Sequence, residues 1–252
     1  MTEHYRRLPL EGLRNARDLG GYPIPGGGVT RFGRFIRCEV PRRLTETDLA
    51  LLRELGVTAS IDFRGDMELE HYPSALRDVP WCEYIHIPTF NEQVAFPRDY
   101  RPERVFAFVR WGDKYTEMLR FSGNWVRSVL ETMASRKGAV MYNCTTGKDR
   151  TGIISALLLG LAGVDDRDII ADYCVSQVYL REVYLELAET LPGERETGET
   201  VLTDPFFRTE PENMEAMLDY IHANFGSVAD YVRSVGVDDG TVETLRSRLA
   251  GA

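Results

Sequence analysis

The feature that most constrains the fold is a loop at residues 143–152, which reads Asn-Cys-Thr-Thr-Gly-Lys-Asp-Arg-Thr-Gly. The apolar residues 138–142 before it predict a buried strand, and the apolar residues 153–159 after it predict a buried helix. A loop that joins a strand to a helix N-terminus can aim several backbone N–H groups at one point, where the helix dipole adds positive potential. The sequence therefore predicts an anion-binding loop at the end of a strand.

Two side chains of this loop have the chemistry needed to cleave phosphate esters. Cys144 lies where the loop field favours a thiolate, which is the nucleophilic form of cysteine. Arg150, placed after five intervening residues, has a planar fork that can hold two phosphate oxygens, as a lysine cannot. This pattern is typical of cysteine-based phosphatases, in which the thiolate attacks phosphorus and a cysteinyl-phosphate forms.

The other loop positions are predicted to bind phosphate or shape the loop. Thr145 and Thr146 contribute mainly backbone amides, and Gly147 permits a backbone conformation that a Cβ would exclude. Lys148 is predicted to be a second phosphate ligand, with an ordinary surface lysine as the alternative. The hydroxyl of Thr151 is placed to donate to the thiolate.

Four segments together resemble the bacterial and fungal tyrosine-phosphatase-like family, which includes secreted mycobacterial and listerial phosphatases. The first is the loop itself. The other segments are Asn-Ala-Arg-Asp-Leu-Gly-Gly-Tyr at 15–22, Ile-Asp-Phe-Arg at 61–64 with Glu68, and Phe-Gly-Ser-Val-Ala-Asp-Tyr at 225–231. The resemblance covers about residues 12–250 and implies a phosphatase with tyrosine, serine/threonine or phosphoinositide activity.

The resemblance also bears on the general acid and on one departure from the usual loop. Relatives with an Asp-Arg loop ending are thought to use that aspartate, so Asp149 is the first candidate to protonate the leaving oxygen. Asp62 is the second candidate, because it ends a neighbouring strand; its alternative role is an ion-pair network with Arg64 and Glu68 under the loop. Most cysteine phosphatases have a histidine immediately before the cysteine, whereas this chain has Asn143. This replacement either weakens stabilisation of the thiolate or marks a weakened enzyme.

The composition and net charge of the chain argue against some classes of binding partner. The chain has 252 residues, 43% of them hydrophobic, and a net charge of −9, which argues against nucleic acid or an anionic membrane as a partner. No apolar run reaches the length of a membrane span, and residues 1–7 start no signal peptide. The widely spaced cysteines favour a reducing compartment, so a cytoplasmic location is expected. The four histidines have no metal-ligand spacing, and the chemistry needs neither metal nor cofactor.

Strand-like and helical segments alternate along the chain, which predicts an α/β fold with a central, mainly parallel sheet and helices on both faces. We expect a strand pair within 22–38, a helix capped by Thr45 and Asp48, strands near 57–63 and 83–87, and a helical region at about 103–135 broken near Gly112 and Gly123. Further helices are expected at about 165–190, 211–224, 226–235 and 238–250. Residues 1–252 are expected to form one phosphatase domain, with a candidate lid at about 88–113.

The favoured function is hydrolysis of phosphotyrosine in proteins, with phosphoserine and phosphothreonine as further substrates. A phosphorylated protein or small phosphoester is then the partner, and phosphate or sulfate should occupy the loop. Two alternatives stay open: a phosphoinositide phosphatase, which Lys148 favours, and a catalytically weak phospho-binding module, which Asn143 suggests.

Overall fold

A five-stranded sheet organises the chain in the computed structural model, which describes residues 5–89, 111–190 and 207–251. The strands are β1 (Arg17–Asp18), β2 (Phe35–Cys38), β3 (Val57–Asp62), β4 (Glu83–His86) and β5 (Ala139–Asn143). They follow the order β1-β2-β5-β3-β4 across the sheet, and all neighbours pair in parallel except β1 with β2. The predicted α/β class with a mainly parallel sheet is therefore confirmed.

Helices cover both faces of the sheet. In the described ranges the helices are α1 (Glu46–Glu54), α2 (Asp66–His71), α3 (Trp111–Phe121), α4 (Gly123–Ser135), α5 (Asp149–Leu161), α6 (Asp166–Tyr179), α7 (Arg181–Thr190), α8 (Pro211–Phe225), α9 (Val228–Ser234) and α10 (Asp239–Ala250).

The side chains of β5 alternate between the two faces of the sheet. Val140 and Tyr142 point into a core packed by α3–α6 and α8–α10, whereas Ala139 and Met141 point to the other face, against α1 and residues 8–16. This alternation follows from the two-residue period of a strand.

Most predicted element ends agree with the structure. Thr45 caps α1 in a reciprocal capping box with Asp48, as predicted. The break at Gly123 separates α3 from α4, and the region expected to be helical at 165–190 is two helices, α6 and α7.

One expectation about local structure is wrong. The antiparallel partner of β2 is the two-residue strand β1, which lies before residue 22, so the strand pair begins earlier than predicted. Gly112 lies in the first turn of α3, and an added Cβ there would come within 2.8 Å of the Ala216 side chain. Its small size permits close packing of α3 on α8. The expected break near Gly112 stays a prediction, because residues 90–110 lie outside the described ranges.

Other expectations fall partly or wholly outside the described residues. Most of the candidate lid at about 88–113 does so, as does the helical region before residue 111. Within the described ranges, no helix has the length and apolar character to cross a membrane. No group of histidine, cysteine, aspartate or glutamate side chains there is arranged to hold a metal ion.

Candidate active site

The predicted loop begins where β5 ends, at the carboxyl edge of the parallel strands, which is where α/β folds place their ligands. Cys144 directly follows β5 and is buried, at 2% exposure. Its backbone N–H donates to the hydroxyl oxygen of Thr151 at 2.9 Å, across the loop. Thr151 thus closes the loop from α5 and keeps its own hydroxyl proton. Donation of that proton to the thiolate stays a prediction.

The carbonyls of the loop are turned into the protein. The Thr145 carbonyl accepts from the Val40 N–H at 3.1 Å, the Thr146 carbonyl from the Asn15 amide at 3.0 Å, and the Gly147 carbonyl from Arg37 at 2.8 Å. In a trans peptide the N–H of the next residue points away from the C=O. The N–H groups of residues 146–148 therefore face the opposite side, toward the concavity of the loop, and can bind an anion there.

Gly147 meets two independent constraints. Its φ is +67°, in the region that residues with a Cβ rarely adopt. An added Cβ would also lie 2.2 Å from the carbonyl oxygen of Cys38. The predicted need for glycine here is confirmed, and the close approach of the loop to β2 gives a second reason for it.

Buried charges hold the donors of this loop in place. Asp172 of α6 accepts from Arg17 Nε at 2.8 Å, from the Tyr22 hydroxyl at 2.9 Å and from Arg37. Burial raises the pKa of Asp172, but the two guanidinium groups outweigh that effect and lower it well below the ordinary range. Arg17 also donates to the Asn15 side-chain oxygen at 2.6 Å, which aims the Asn15 amide at the loop. One carboxylate thus positions the donors to the Thr146 and Gly147 carbonyls.

Arg150 is held across the loop by Glu68 of α2. Its Nη1 and Nη2 donate to the two carboxylate oxygens at 2.8 and 2.7 Å, and the Thr145 hydroxyl donates to the same carboxylate. Burial raises the pKa of Glu68, but Arg150 lowers it to about 2, so this group stays ionised at neutral pH. These two hydrogen bonds fix the plane of the Arg150 guanidinium.

Asp62 is in the position expected for a structural role. It is fully buried, and its carboxylate accepts from Arg64 Nε at 2.9 Å, from Arg64 Nη2 at 2.7 Å and from the Tyr84 hydroxyl at 3.1 Å. Arg64 also donates to the Tyr72 carbonyl just beyond α2 at 2.6 Å. These contacts support the alternative of an ion pair under the loop, and they link Asp62 to the helix that carries Glu68.

Asp149, in contrast, reaches the surface at the first turn of α5, with its side chain 21% exposed. The Tyr115 hydroxyl donates to its Oδ1 at 2.5 Å, and Lys148 Nζ lies 3.6 Å from the same atom. Of the two predicted acids, Asp149 is thus the one that solvent, and hence a substrate, can reach.

Lys148 is not an ordinary surface lysine. Its side chain is 3% exposed, and its Nζ lies 5.1 Å from the centre of the Trp111 ring and 3.5 Å from the carbonyl oxygen of Arg208. The ammonium is therefore held beside Asp149, and its binding of phosphate stays a prediction.

Asn143 takes part in forming the loop. It is buried at the end of β5, and its amide donates to the Cys144 carbonyl at 3.2 Å. Its own carbonyl accepts from the Phe63 N–H at 2.9 Å. Asn143 thus places a hydrogen-bond donor beside Cys144.

Several supporting residues were not predicted from sequence. Arg37 and Asp172 lie 135 positions apart, and neither belongs to a local motif. Tyr115 likewise has no sequence signal. Asn15, Arg17 and Tyr22 did have one, because they belong to the segment at 15–22 that carries the family resemblance.

Comparison with known proteins identifies the family of this chain. A family model described as the tyrosine phosphatase family matches residues 8–251. The chain belongs to the tyrosine phosphatase family. Its members are hydrolases, so the chain is placed among enzymes.

Relatives of the chain carry phosphatase names. A tyrosine-protein phosphatase of Nostoc commune is 31% identical over 222 residues, which cover 86% of this chain and 74% of the relative. The triple specificity protein phosphatase PtpB of Mycobacterium tuberculosis is 25% identical over 281 residues, with 98% and 99% coverage. Among solved structures, P. aeruginosa TpbA aligns with 59% of this chain and 80% of its own, at 18% identity and a TM-score of 0.34.

The buried charges of this phosphatase generate a stability prediction. Asp172→Asn leaves two buried guanidinium groups without their counter-charge, so the free energy of unfolding should fall by about 3–5 kcal/mol in urea titrations at neutral pH. Because the folded-state pKa of Asp172 is lowered, its stabilisation is complete above the pKa of an unfolded aspartate, about 4. The difference between wild type and variant should shrink only as the pH falls below that value.

Asp168→Asn is the matched control, since Asp168 lies on the same helix α6 without the buried ion pairs. Its loss should stay below about 1 kcal/mol, the usual size of a helix-dipole effect. An Asp172→Asn variant as stable as this control would contradict the role given to the buried carboxylate.

Proposed function

We propose that this phosphatase hydrolyses phosphotyrosine in proteins through a cysteinyl-phosphate intermediate, with phosphoserine and phosphothreonine as further substrates. The observation that carries the proposal is the loop after β5. Its carbonyls are bonded away from the concavity, Cys144 lies at its base and Arg150 is fixed across it. A phosphate group in this concavity would meet backbone N–H donors, a guanidinium and a nucleophile together.

In the first proposed step, the thiolate of Cys144 attacks phosphorus, an S–P bond forms and the P–O ester bond breaks. Asp149 gives its proton to the leaving oxygen, so the alcohol departs neutral. The backbone N–H groups and Arg150 stabilise the charge on the three other phosphate oxygens in the transition state.

In the second step, water attacks phosphorus of the cysteinyl-phosphate. The ionised Asp149 accepts a proton from that water, the S–P bond breaks and the thiolate is regenerated. Inorganic phosphate leaves, and Asp149 is again protonated for the next turnover. Every proton and electron pair in this cycle comes from the substrate, water or the residues named.

The structure bears on the two alternative functions. The sequence favoured an inositol-lipid substrate because Lys148 was predicted to be a second phosphate ligand. In the structure the Lys148 ammonium lies against the Trp111 ring and beside Asp149, which weakens that support. Asn143 suggested a weak phospho-binding module, yet its amide donates to the Cys144 carbonyl within the loop. The relative named a triple specificity phosphatase supports a substrate range beyond phosphotyrosine.

Cys144→Ser tests covalent catalysis. A serine hydroxyl is not ionised at neutral pH, so turnover of an aryl phosphate should be lost while phosphate still binds to the unchanged backbone N–H groups. Steady-state kinetics and phosphate binding by calorimetry measure the two properties. Cys82→Ser, in the cluster on the other face of the sheet, is the control and should retain turnover. Near wild-type activity in Cys144→Ser would rule out this nucleophile.

Arg150→Lys tests the guanidinium. Lysine keeps the charge but cannot make the paired hydrogen bonds to Glu68 or to two phosphate oxygens. We expect kcat/KM to fall by more than tenfold, that is by more than about 1.4 kcal/mol of transition-state stabilisation. Arg127→Lys, on the exposed face of α4, should leave kcat/KM unchanged. A smaller loss in Arg150→Lys would mean that Arg150 does not stabilise the transition state.

Substrates with different leaving groups distinguish the two candidate acids. Asp149→Asn should slow alkyl and tyrosyl phosphates far more than nitrophenyl phosphate, because nitrophenolate leaves without a proton. Asp62→Asn should instead lower stability and slow all substrates alike, since it breaks the ion pair with Arg64. If the leaving-group dependence appears in Asp62→Asn and not in Asp149→Asn, the two roles are reversed.

A further inference from the structure

A chain of hydrogen-bonded phenols connects the protein core to Asp149. The Tyr115 hydroxyl donates to Asp149 Oδ1 at 2.5 Å and lies 2.8 Å from the Tyr173 hydroxyl, which in turn is 3.5 Å from the Asn213 amide nitrogen. Tyr115 and Tyr173 are almost completely buried. They come from α3 and α6, and Asn213 comes from α8. Three helices thus converge on one carboxylate.

The direction of this chain follows from counting protons. The hydroxyl of Tyr115 has one proton, which goes to the carboxylate, so Tyr173 must donate to Tyr115 and the Asn213 amide to Tyr173. Burial raises the pKa of Tyr115 well above its ordinary value, and the nearby charge of Asp149 raises it further. Tyr115 therefore stays protonated and remains a donor at neutral pH.

The ring of Tyr115 is fixed as firmly as its hydroxyl. Its ring centre lies 5.8 Å from that of Tyr173 in an edge-to-face arrangement and 6.0 Å from that of Trp111. The donor is therefore set in position by core packing.

The two oxygens of Asp149 differ in their surroundings. Tyr115 donates to Oδ1, and Lys148 Nζ lies 3.6 Å from the same atom. Among the described residues, no hydrogen bond or ion pair involves Oδ2, and the side chain keeps access to solvent at 21% exposure. One oxygen is thus fixed to the protein, and the other is left to carry a proton.

We propose that Tyr115 is a positioning residue, which fixes Oδ1 of Asp149 so that Oδ2 holds the proton and faces the leaving oxygen of the substrate. This inference rests on the proposed role of Asp149 as the general acid. In the first step the proton moves from Oδ2 to the leaving oxygen as the P–O bond breaks. Tyr115 keeps its own proton throughout and stabilises the carboxylate that results.

Tyr115→Phe removes this hydrogen bond and keeps the ring. At the pH optimum of each protein, we expect kcat/KM for alkyl and tyrosyl phosphates to fall by about tenfold, the equivalent of 1.4 kcal/mol, and nitrophenyl phosphate to be nearly unaffected. Equal slowing of all substrates would overturn the proposal.

Tyr231→Phe is the matched control. Its hydroxyl is also buried, and it donates to the Leu119 carbonyl of the same helix α3 at 3.0 Å, away from the loop. It should lower stability without any leaving-group dependence. If Tyr231→Phe slows alkyl and tyrosyl phosphates relative to nitrophenyl phosphate as much as Tyr115→Phe does, any loosening of α3 causes this selectivity. That result would overturn the assignment to Tyr115.

The double variant Tyr115→Phe/Asp149→Asn separates this inference from the proposed acid. If Tyr115 acts through Asp149, adding Tyr115→Phe to Asp149→Asn should cause no further selective slowing. Full additivity would overturn the inference while leaving Asp149 as the acid. Absence of leaving-group selectivity in Asp149→Asn itself would instead overturn the acid, and the inference with it. Should Tyr115→Phe fail to fold, Tyr173→Phe replaces it, with a smaller selective slowing expected and its absence contradicting the proposal.

Discussion

The buried ion pairs of Asp172 with Arg17 and Arg37 are the interaction on which the active site depends. A loop that aims its N–H groups at an anion must turn its carbonyls into the protein, where each needs a donor. Arg37 and Asn15 are such donors, and Arg17 orients Asn15. Buried guanidinium groups need a counter-charge in turn, and Asp172 supplies it for both. The charge that stabilises the fold therefore also shapes the anion site.

Two further contacts orient the reacting side chains from opposite directions. Glu68 fixes Arg150 from α2, and Tyr115 fixes Asp149 from α3. Both carboxylate contacts are made by the protein's own side chains, so the fold sets the positions of these donors. Donors set in place before the reaction stabilise a transition state more effectively than water, which must reorient. In the proposed mechanism the loop contributes the nucleophile and the anion-binding N–H groups, while helices elsewhere set the geometry.

The sequence predicted those features that depend on local chemistry. The strand–loop–helix turn, the glycine at 147 and the capping box at Thr45 each follow from residues close together in the chain, and the structure confirms them. The strand at Arg17–Asp18 was missed because two residues show no periodicity. Asp172 and Tyr115 were missed because their roles arise only when distant helices pack. The close packing of Gly112 on α8 was missed for the same reason.

The most direct test of the account is a crystal structure of the wild-type protein with orthovanadate, which mimics the five-coordinate transition state of phosphoryl transfer. We predict a covalent bond from Cys144 Sγ to vanadium, with backbone N–H groups and Arg150 on the equatorial oxygens. The apical oxygen opposite sulfur, which takes the place of the leaving oxygen, should accept a hydrogen bond from Asp149 Oδ2. Vanadate bound outside the loop, or bound in it without a sulfur–vanadium bond, would contradict covalent catalysis by Cys144.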